Sequence, residues 1–316
     1  MNKVVVISGH PHLDQSHTNK VILDELQHKV EGVDIRHLAS FYPDCHFDIE
    51  AEQAALLRAD TIVLQFPFYW YSVPGIMKQW LDAVLTFNFA YGPEGDKLKG
   101  KHLVLSFTIG GPRQSYHPLG YNHFSIEQLM TPLEQTAYLA GLNYHQPIYS
   151  HGMIYIPGVY NTLDEVEARA REHADRLITT LAALAQDHTR QAAVHDFVRH
   201  WFKAFDRLPQ DPAWFIQHVD DALHLMAPDG TFRGTEGFCQ WYQTLRLSFT
   251  PGIDHQLERV EVSHLEKNHY QVDLLVRVEA ETLNNEATTI MARETWRIAI
   301  DPQDNIKIFD YRVELV

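Results

Sequence analysis

Five times between residues 3 and 186, a short apolar run passes through a loop into a stretch with helical periodicity. The runs cover 3–8, 33–38, 61–65, 102–108 and a segment within 144–156, and they read as buried strands. The intervening helices are expected over about 17–30, 49–58, 74–87, 126–140 and 162–186. Gly32 and Gly141 stand where two of them end, and Thr162-Leu163-Asp164-Glu165 is a capping box opening the last. Strands that alternate with helices must be joined by crossovers, so this half predicts a parallel sheet covered on both faces.

Open sheets of this kind bind ligands at the carboxyl ends of their strands, and three loops there carry unusual residues. The first, 9–19, holds His10, Ser16, Thr18 and Asn19 just before a helix, whose first turn offers unpaired N–H groups to an anion. The second follows the strand at 61–65: Pro67 stops it, Phe68-Tyr69-Trp70-Tyr71 are four consecutive aromatics, and Pro74 opens the next helix. The third is Thr108-Ile109-Gly110-Gly111 with Tyr116 beyond it, and paired glycines let backbone approach a flat ligand. No Gly-x-Gly-x-x-Gly is present, which disfavours a Rossmann dinucleotide site or a P-loop.

Pro67, Trp70, Tyr71, Ser72, Pro74, Lys78, Trp80 and Asp82 together resemble the flavin loop of the NAD(P)H:quinone oxidoreductase family. His10 with Ser16-x-x-Asn19 is similar to that family's phosphate loop, and Thr108-x-Gly110-Gly111 with Tyr116 to its third loop. The resemblance implies a flavodoxin-like five-stranded sheet in the order 2-1-3-4-5. It implies FMN, or alternatively FAD, held by His10, Ser16, Thr18, Asn19, Pro67, Phe68, Tyr69, Trp70, Tyr71, Thr108, Gly110, Gly111 and Tyr116. NAD(P)H would be the hydride donor and a quinone or other small acceptor the oxidant, in ping-pong order at one shared site. Tyr116 would be the catalytic hydrogen-bond donor to the reduced ring. Some family members carry a histidine shortly after this tyrosine; here the place falls on Asn122, with His117 and His123 nearby. The resemblance also implies a homodimer, to which apolar residues at 76–91 supply an independent motive. Some relatives are ancillary subunits of potassium-efflux systems, which leaves a regulatory role as the alternative.

A polar joint at 185–191 is expected to end a first domain over 1–188 and to precede a second over 192–316. There, helical stripes (Val194, Phe197, Val198, Trp201, Phe202, Phe205) give way after Gly252 to alternation. Val272, Leu274, Val276, Val278 and Ala280 share one face, followed by Ile290, Ala292, Trp296, Ile298 and Ile300, and then by Phe309, Tyr311, Val313 and Leu315. Helices followed by an antiparallel meander make an α+β arrangement, which in pattern and length resembles the NTF2-like (SnoaL-like) cone. His224, Asp229 and His255 are its candidate pocket residues.

The net charge of −15 disfavours nucleic acid and anionic lipid as partners. Both halves are acidic, with 14 Lys and Arg against 21 Asp and Glu over 1–190 and 12 against 20 beyond. Cys45 and Cys239 are too few for a disulfide framework, no histidine spacing suggests a metal, and no membrane span or leader is expected, so a cytoplasmic setting is the default.

Overall fold

The computed structural model describes residues 3–316. They fall into two compact units, one up to Ala185 and the other from Gln186 onward.

The first unit is built on β1 (Val4–Ser8), β2 (Asp34–His37), β3 (Thr61–Pro67), β4 (His102–Thr108), β5 (Asn143–Tyr144) and β6 (Ile148–Ser150). Their parallel order is β2-β1-β3-β4-β5, with β6 also paired to β4, as the flavodoxin-like reading requires. The fifth position is split because Pro147, between β5 and β6, lacks a donor for the ladder. Along the central strands alternate residues face opposite layers. Val5, Ile7, Leu64 and Phe107 pack with α3 (Ile49–Arg58), α4 (Gly75–Val84) and α5 (Ile126–Leu139), whereas Val4, Val6, Val63 and Val104 pack with α1 (Asn19–Lys29) and the start of α6 (Leu163–Arg207). A four-residue helix, α2 (Leu38–Phe41), follows β2. Glu52 of α3 is fully buried, and Arg36, Tyr42 and the Trp80 indole all donate to its carboxylate at 2.6–2.9 Å. Trp80 of the aromatic-loop motif is therefore a core residue, and its neighbours Lys78 and Asp82 pair one helical turn apart on the surface.

Two expectations are corrected. The polar joint at 185–191 is not a loop: α6 runs unbroken through it, because its 45 residues contain neither glycine nor proline to end it. The polarity there marks a solvated helix face between two buried stretches, which end at Leu184 and resume at Val194. The apolar surplus at 76–91 is also smaller than expected, since Ile76, Leu81 and Leu85 lie half-buried against the core, while Phe87 and Tyr91 remain exposed.

The second unit adds α7 (Ala213–Ile216), β7 (Val219–Ala227), β8 (Gly230–Arg233), α8 (Gly234–Arg246), β9 (Asp254–Glu266), β10 (His269–Glu281), β11 (Ala287–Ile300) and β12 (Ile306–Leu315). Its sheet runs β8-β7-β12-β11-β10-β9, antiparallel except where β12 meets β7. The inward faces of β10 and β11 fall on the expected even-numbered residues. Phe309 departs from the expected row: a bulge opposite Arg297 and Ile298 shifts the parity, so Ile306 and Ile308 are buried before it and Tyr311 after it. Trp201 sits fully buried among the rings of Phe215, Phe238, Trp296 and Tyr311.

Candidate functional site

At the carboxyl edge of the first sheet, the loops after β1, β3, β4 and β6 surround a cleft of about 220 Å³. Backbone bonds knit them together. Gly9 N–H donates to Gln65 O, Phe68 N–H to Thr108 O, Ile109 N–H to Ser150 O and Met153 N–H to Ile109 O, all within 2.9 Å. Gly9 is required by close approach, since a Cβ there would meet the Met77 side chain at 2.7 Å.

Of the expected site residues, His10, Ser16, Thr18, Asn19, Pro67, Phe68, Tyr69, Thr108 and Gly110 line this cleft. Ser16 Oγ accepts the N–H of Asn19, the first residue of α1. The remaining first-turn N–H groups have no acceptor within the helix and carry its partial positive charge. His10 accepts the His12 N–H on Nδ1 at 3.1 Å. Its proton is therefore on Nε2, which has no acceptor among the described residues. Burial, and to a lesser extent His12, lowers His10 to about 4, so it serves as a neutral donor.

Asn19 is only 2% exposed and does not present its amide to the cleft. It is one link in a buried chain of hydrogen bonds. Arg176 donates to Ser150 Oγ, at 2.7 Å, and Ser150 shares a 3.0 Å bond with His173 Nδ1. His173 Nε2 lies 2.8 Å from Ser106 Oγ, which donates to Gln65 Oε1. Gln65 Nε2 donates to Asn19 Oδ1, and Asn19 Nδ2 to Thr108 Oγ1. Because each link has one donor and one acceptor, the direction is fixed along the whole chain. Ser106 spends its proton on Gln65, so His173 carries hydrogen on Nε2 and accepts from Ser150. Thr108, having accepted from Asn19, keeps its own O–H free for a ligand. Burial, and to a lesser extent the Arg176 charge, holds His173 at about 3, which keeps its imidazole neutral. The sequence carried a signal for this: Gln65 and Ser106 are polar residues inside fully buried strands, paired directly across β3 and β4.

The remaining expected residues, Trp70, Tyr71, Gly111 and Tyr116, lie outside the cleft's lining, and Phe68 and Tyr69 connect it to them. Phe68 packs on Phe107 and Tyr116, with ring centroids 5.4 and 6.2 Å apart. Tyr69 and Ser72 exchange two backbone bonds, making Trp70 and Tyr71 the central pair of a tight hairpin turn. Both take left-handed φ, 48° and 64°, and Trp70 is 93% exposed. The Tyr116 ring lies about 3.4 Å from where a Gly111 Cβ would stand. Burial raises its phenol, so it remains an O–H donor at neutral pH. Tyr71 donates to Asn122 Oδ1 at 3.1 Å, tying the second loop to the third.

Sequence reasoning missed the fourth loop, because the fifth strand was poorly delimited. Met153, Ile154 and Tyr155 close one wall, and His17 packs edge-on against Tyr155 at 5.3 Å. His151 lies 5.3 Å from Tyr116, and its Nδ1 donates to Gly111 O at 3.2 Å. It brings an imidazole beside Tyr116 where the segment after that tyrosine offers Asn122 instead. Among the described residues no Lys or Arg lines the cleft, and no cluster of His, Cys, Asp and Glu could hold a metal ion.

A family model described as flavodoxin-like fold matches residues 2–177. General stress protein 14 of Bacillus subtilis (strain 168) is 40% identical over 153 residues, which are 48% of this chain and 87% of that protein. An uncharacterized NAD(P)H oxidoreductase of the same organism, YdeQ, is 44% identical over 142 residues, 45% of this chain and 72% of that protein. The crystal structure of general stress protein 14 from Treponema denticola in complex with FMN is 31% identical, covers 58% of this chain and 99% of that one, and superposes with a TM-score of 0.51.

Proposed function

The chain belongs to the family of flavodoxin-like fold matched over residues 2–177, and from that membership we propose that its first unit is a flavin-dependent NAD(P)H oxidoreductase that reduces a quinone or a related small acceptor. The observation that carries this reading is the pair of preorganised donors in the cleft. His10 Nε2–H and Thr108 O–H are each fixed by a partner on their other side, and neither has an acceptor among the described residues. With the first turn of α1 and the Thr18 hydroxyl, they fit a phosphate held by neutral donors. The T. denticola relative, which carries FMN, and the YdeQ relative, named as an NAD(P)H oxidoreductase, point the same way.

His10, Ser16, Thr18 and Thr108 would hold the phosphate, and Phe68, Tyr69, Gly110 and Tyr116 would flank the ring. When bound, FMN supplies the two-electron chemistry, accepting a hydride from NAD(P)H and returning the electrons to the acceptor. The protein's residues bind, orient and exclude water. Tyr116 would offer an O–H to the bound group, and Phe68, packed on Phe107 and Tyr116, would form one wall of its site. Donor and acceptor would use the same face in turn, hence a ping-pong order. The second unit, an α+β sheet wrapped on the end of α6, is proposed as an NTF2-like domain without a part in this step.

Titrating FMN against the purified chain tests the reading. Quenching of the flavin fluorescence should saturate at one FMN per chain. His10→Ala should weaken binding about tenfold or more, as expected when a hydrogen bond to a charged group is lost. A folded chain that quenches no FMN would overturn the assignment.

A further inference from the structure

The second unit has a cavity of its own. Its volume is about 320 Å³, at the small end of the ~300–1,000 Å³ typical of small-molecule sites. Its wall is mostly apolar, with Phe202, Phe205, Trp241, Val278, Ala292 and Val313 among its residues, and among the described residues no Lys or Arg contributes to it.

One carboxyl group stands in that wall. Glu294 occupies the inward row of β11 between Ala292 and Trp296, and it is 6% exposed. Its Oε2 accepts from Trp296 Nε1 at 2.9 Å. Burial pushes its carboxyl up to about 7, against the opposing pull of Trp296 and Tyr311. The even-numbered alternation of β11 would accept a leucine here, so packing alone does not call for an acid. A second polar feature lies nearby: His255 of β9 lines the cavity with Nδ1 2.7 Å from Asp206 Oδ1, which fixes the ring.

We propose that this cavity is a binding site for an uncharged, mostly apolar molecule whose hydrogen-bonding group, a ketone or related carbonyl oxygen, is held by the carboxyl group of Glu294. The chemistry follows from what filling the cavity does. An apolar occupant expels the remaining water and further disfavours the ionised carboxylate. The occupied site therefore contains the neutral acid, whose O–H is a donor, and its complement is an acceptor such as a carbonyl oxygen. An anionic ligand would face Glu294 and Asp229 with no cation to balance it. A cationic ligand would lose its hydration among aromatic and aliphatic walls.

The groups around Glu294 that could also titrate are Tyr311 from β12, His255 from β9 and Asp229 from the turn between β7 and β8. The test uses 2-acetonaphthone and 2-ethylnaphthalene, which share a shape but differ in the carbonyl, with quenching of tryptophan fluorescence in the full chain as the readout. The ketone is expected to bind saturably at one per chain. Its affinity should fall about thirtyfold between about pH 6 and pH 8.5, since binding takes up the proton that Glu294 loses over that range. The hydrocarbon, which lacks the hydrogen bond, should bind more weakly at every pH. Glu294→Gln, whose amide still donates, should keep ketone binding and flatten its pH profile, while His255→Gln should leave the profile in place. Circular dichroism confirms that each variant is folded. The proposal is overturned if the folded wild-type chain binds no ketone, if both probes bind alike, or if the pH dependence survives Glu294→Gln or disappears with His255→Gln.

Discussion

Trp70 and Tyr71 hold left-handed backbone conformations that two-residue hairpin turns usually assign to Asn-Gly. Non-glycine residues held there cost of order 1–3 kcal/mol each, and such strain gathers at functional sites. The fold tolerates this because Tyr69 and Ser72 close the turn with two backbone bonds and Phe68 anchors it on the core. The double change Trp70→Asn and Tyr71→Gly should therefore raise stability by ~1 kcal/mol while weakening FMN binding. Urea unfolding and an FMN titration on the same sample decide this, and a variant less stable than the parent would show that the turn is not strained. At this scale the sequence was only partly legible. The four aromatics marked the loop, but nothing in their order distinguishes Phe68, which lines the cleft, from Trp70, which points its surface to solvent. Asn19 matched a phosphate-loop motif, yet its amide is spent on Thr108 and Gln65, and only the pairing of buried strands reveals that.

Between elements, the buried carboxylate of Glu52 on α3 joins β2 through Arg36 and α4 through Trp80. Removing one partner of such a pair leaves the other charge uncompensated. Arg36→Met should thus destabilise the first unit by ~3–5 kcal/mol, although Tyr42 and Trp80 still donate to the carboxylate. The midpoint of chemical unfolding, followed by far-ultraviolet circular dichroism, measures it; a loss below about 1 kcal/mol would mean that the neutral donors alone satisfy Glu52. The order of strands and helices was readable because each buried strand is an apolar run and some helices open on a side-chain cap, as the Thr162–Glu165 box shows. The continuation of α6 was not readable. Polar residues from Gln186 to Gln191 look alike in a linker and on a solvated helix face, and only the absence of a breaking residue distinguishes the two.

For the molecule as a whole, two buried groups set opposite pH dependences. His173 is depressed to about 3, so the unfolded chain takes up its proton first; the stability it allows is complete above pH 6.5 and is lost as pH falls toward 3, at about 1.4 kcal/mol per pH unit. Glu294 is raised from 4.5 to about 7, so stability is greatest below pH 4.5 and declines as pH rises through 7. Between about 4.5 and 6.5 the two oppose each other. Glu294→Gln should therefore expose a loss of stability on acidification and His173→Gln a loss on the alkaline side, as followed by thermal unfolding across that window; variants that leave the profile unchanged would refute both assignments. Association belongs to the same scale. Trp70, Leu119, Tyr121 and Phe124 are 93%, 93%, 77% and 54% exposed on the two loops joined by Tyr71 and Asn122, and an apolar patch of this kind marks an interface. We expect a homodimer, about 73 kDa from chains of 36.5 kDa. Light scattering that finds a monomer with full FMN occupancy and turnover would remove that expectation. The most direct test of the whole account is the absorbance of the FMN-loaded chain near 450 nm, a property of the oxidised flavin, followed without oxygen. NADH or NADPH should bleach the band and an added quinone should restore it within the same cuvette; a folded chain whose bound flavin stays oxidised in the presence of both nucleotides would contradict it.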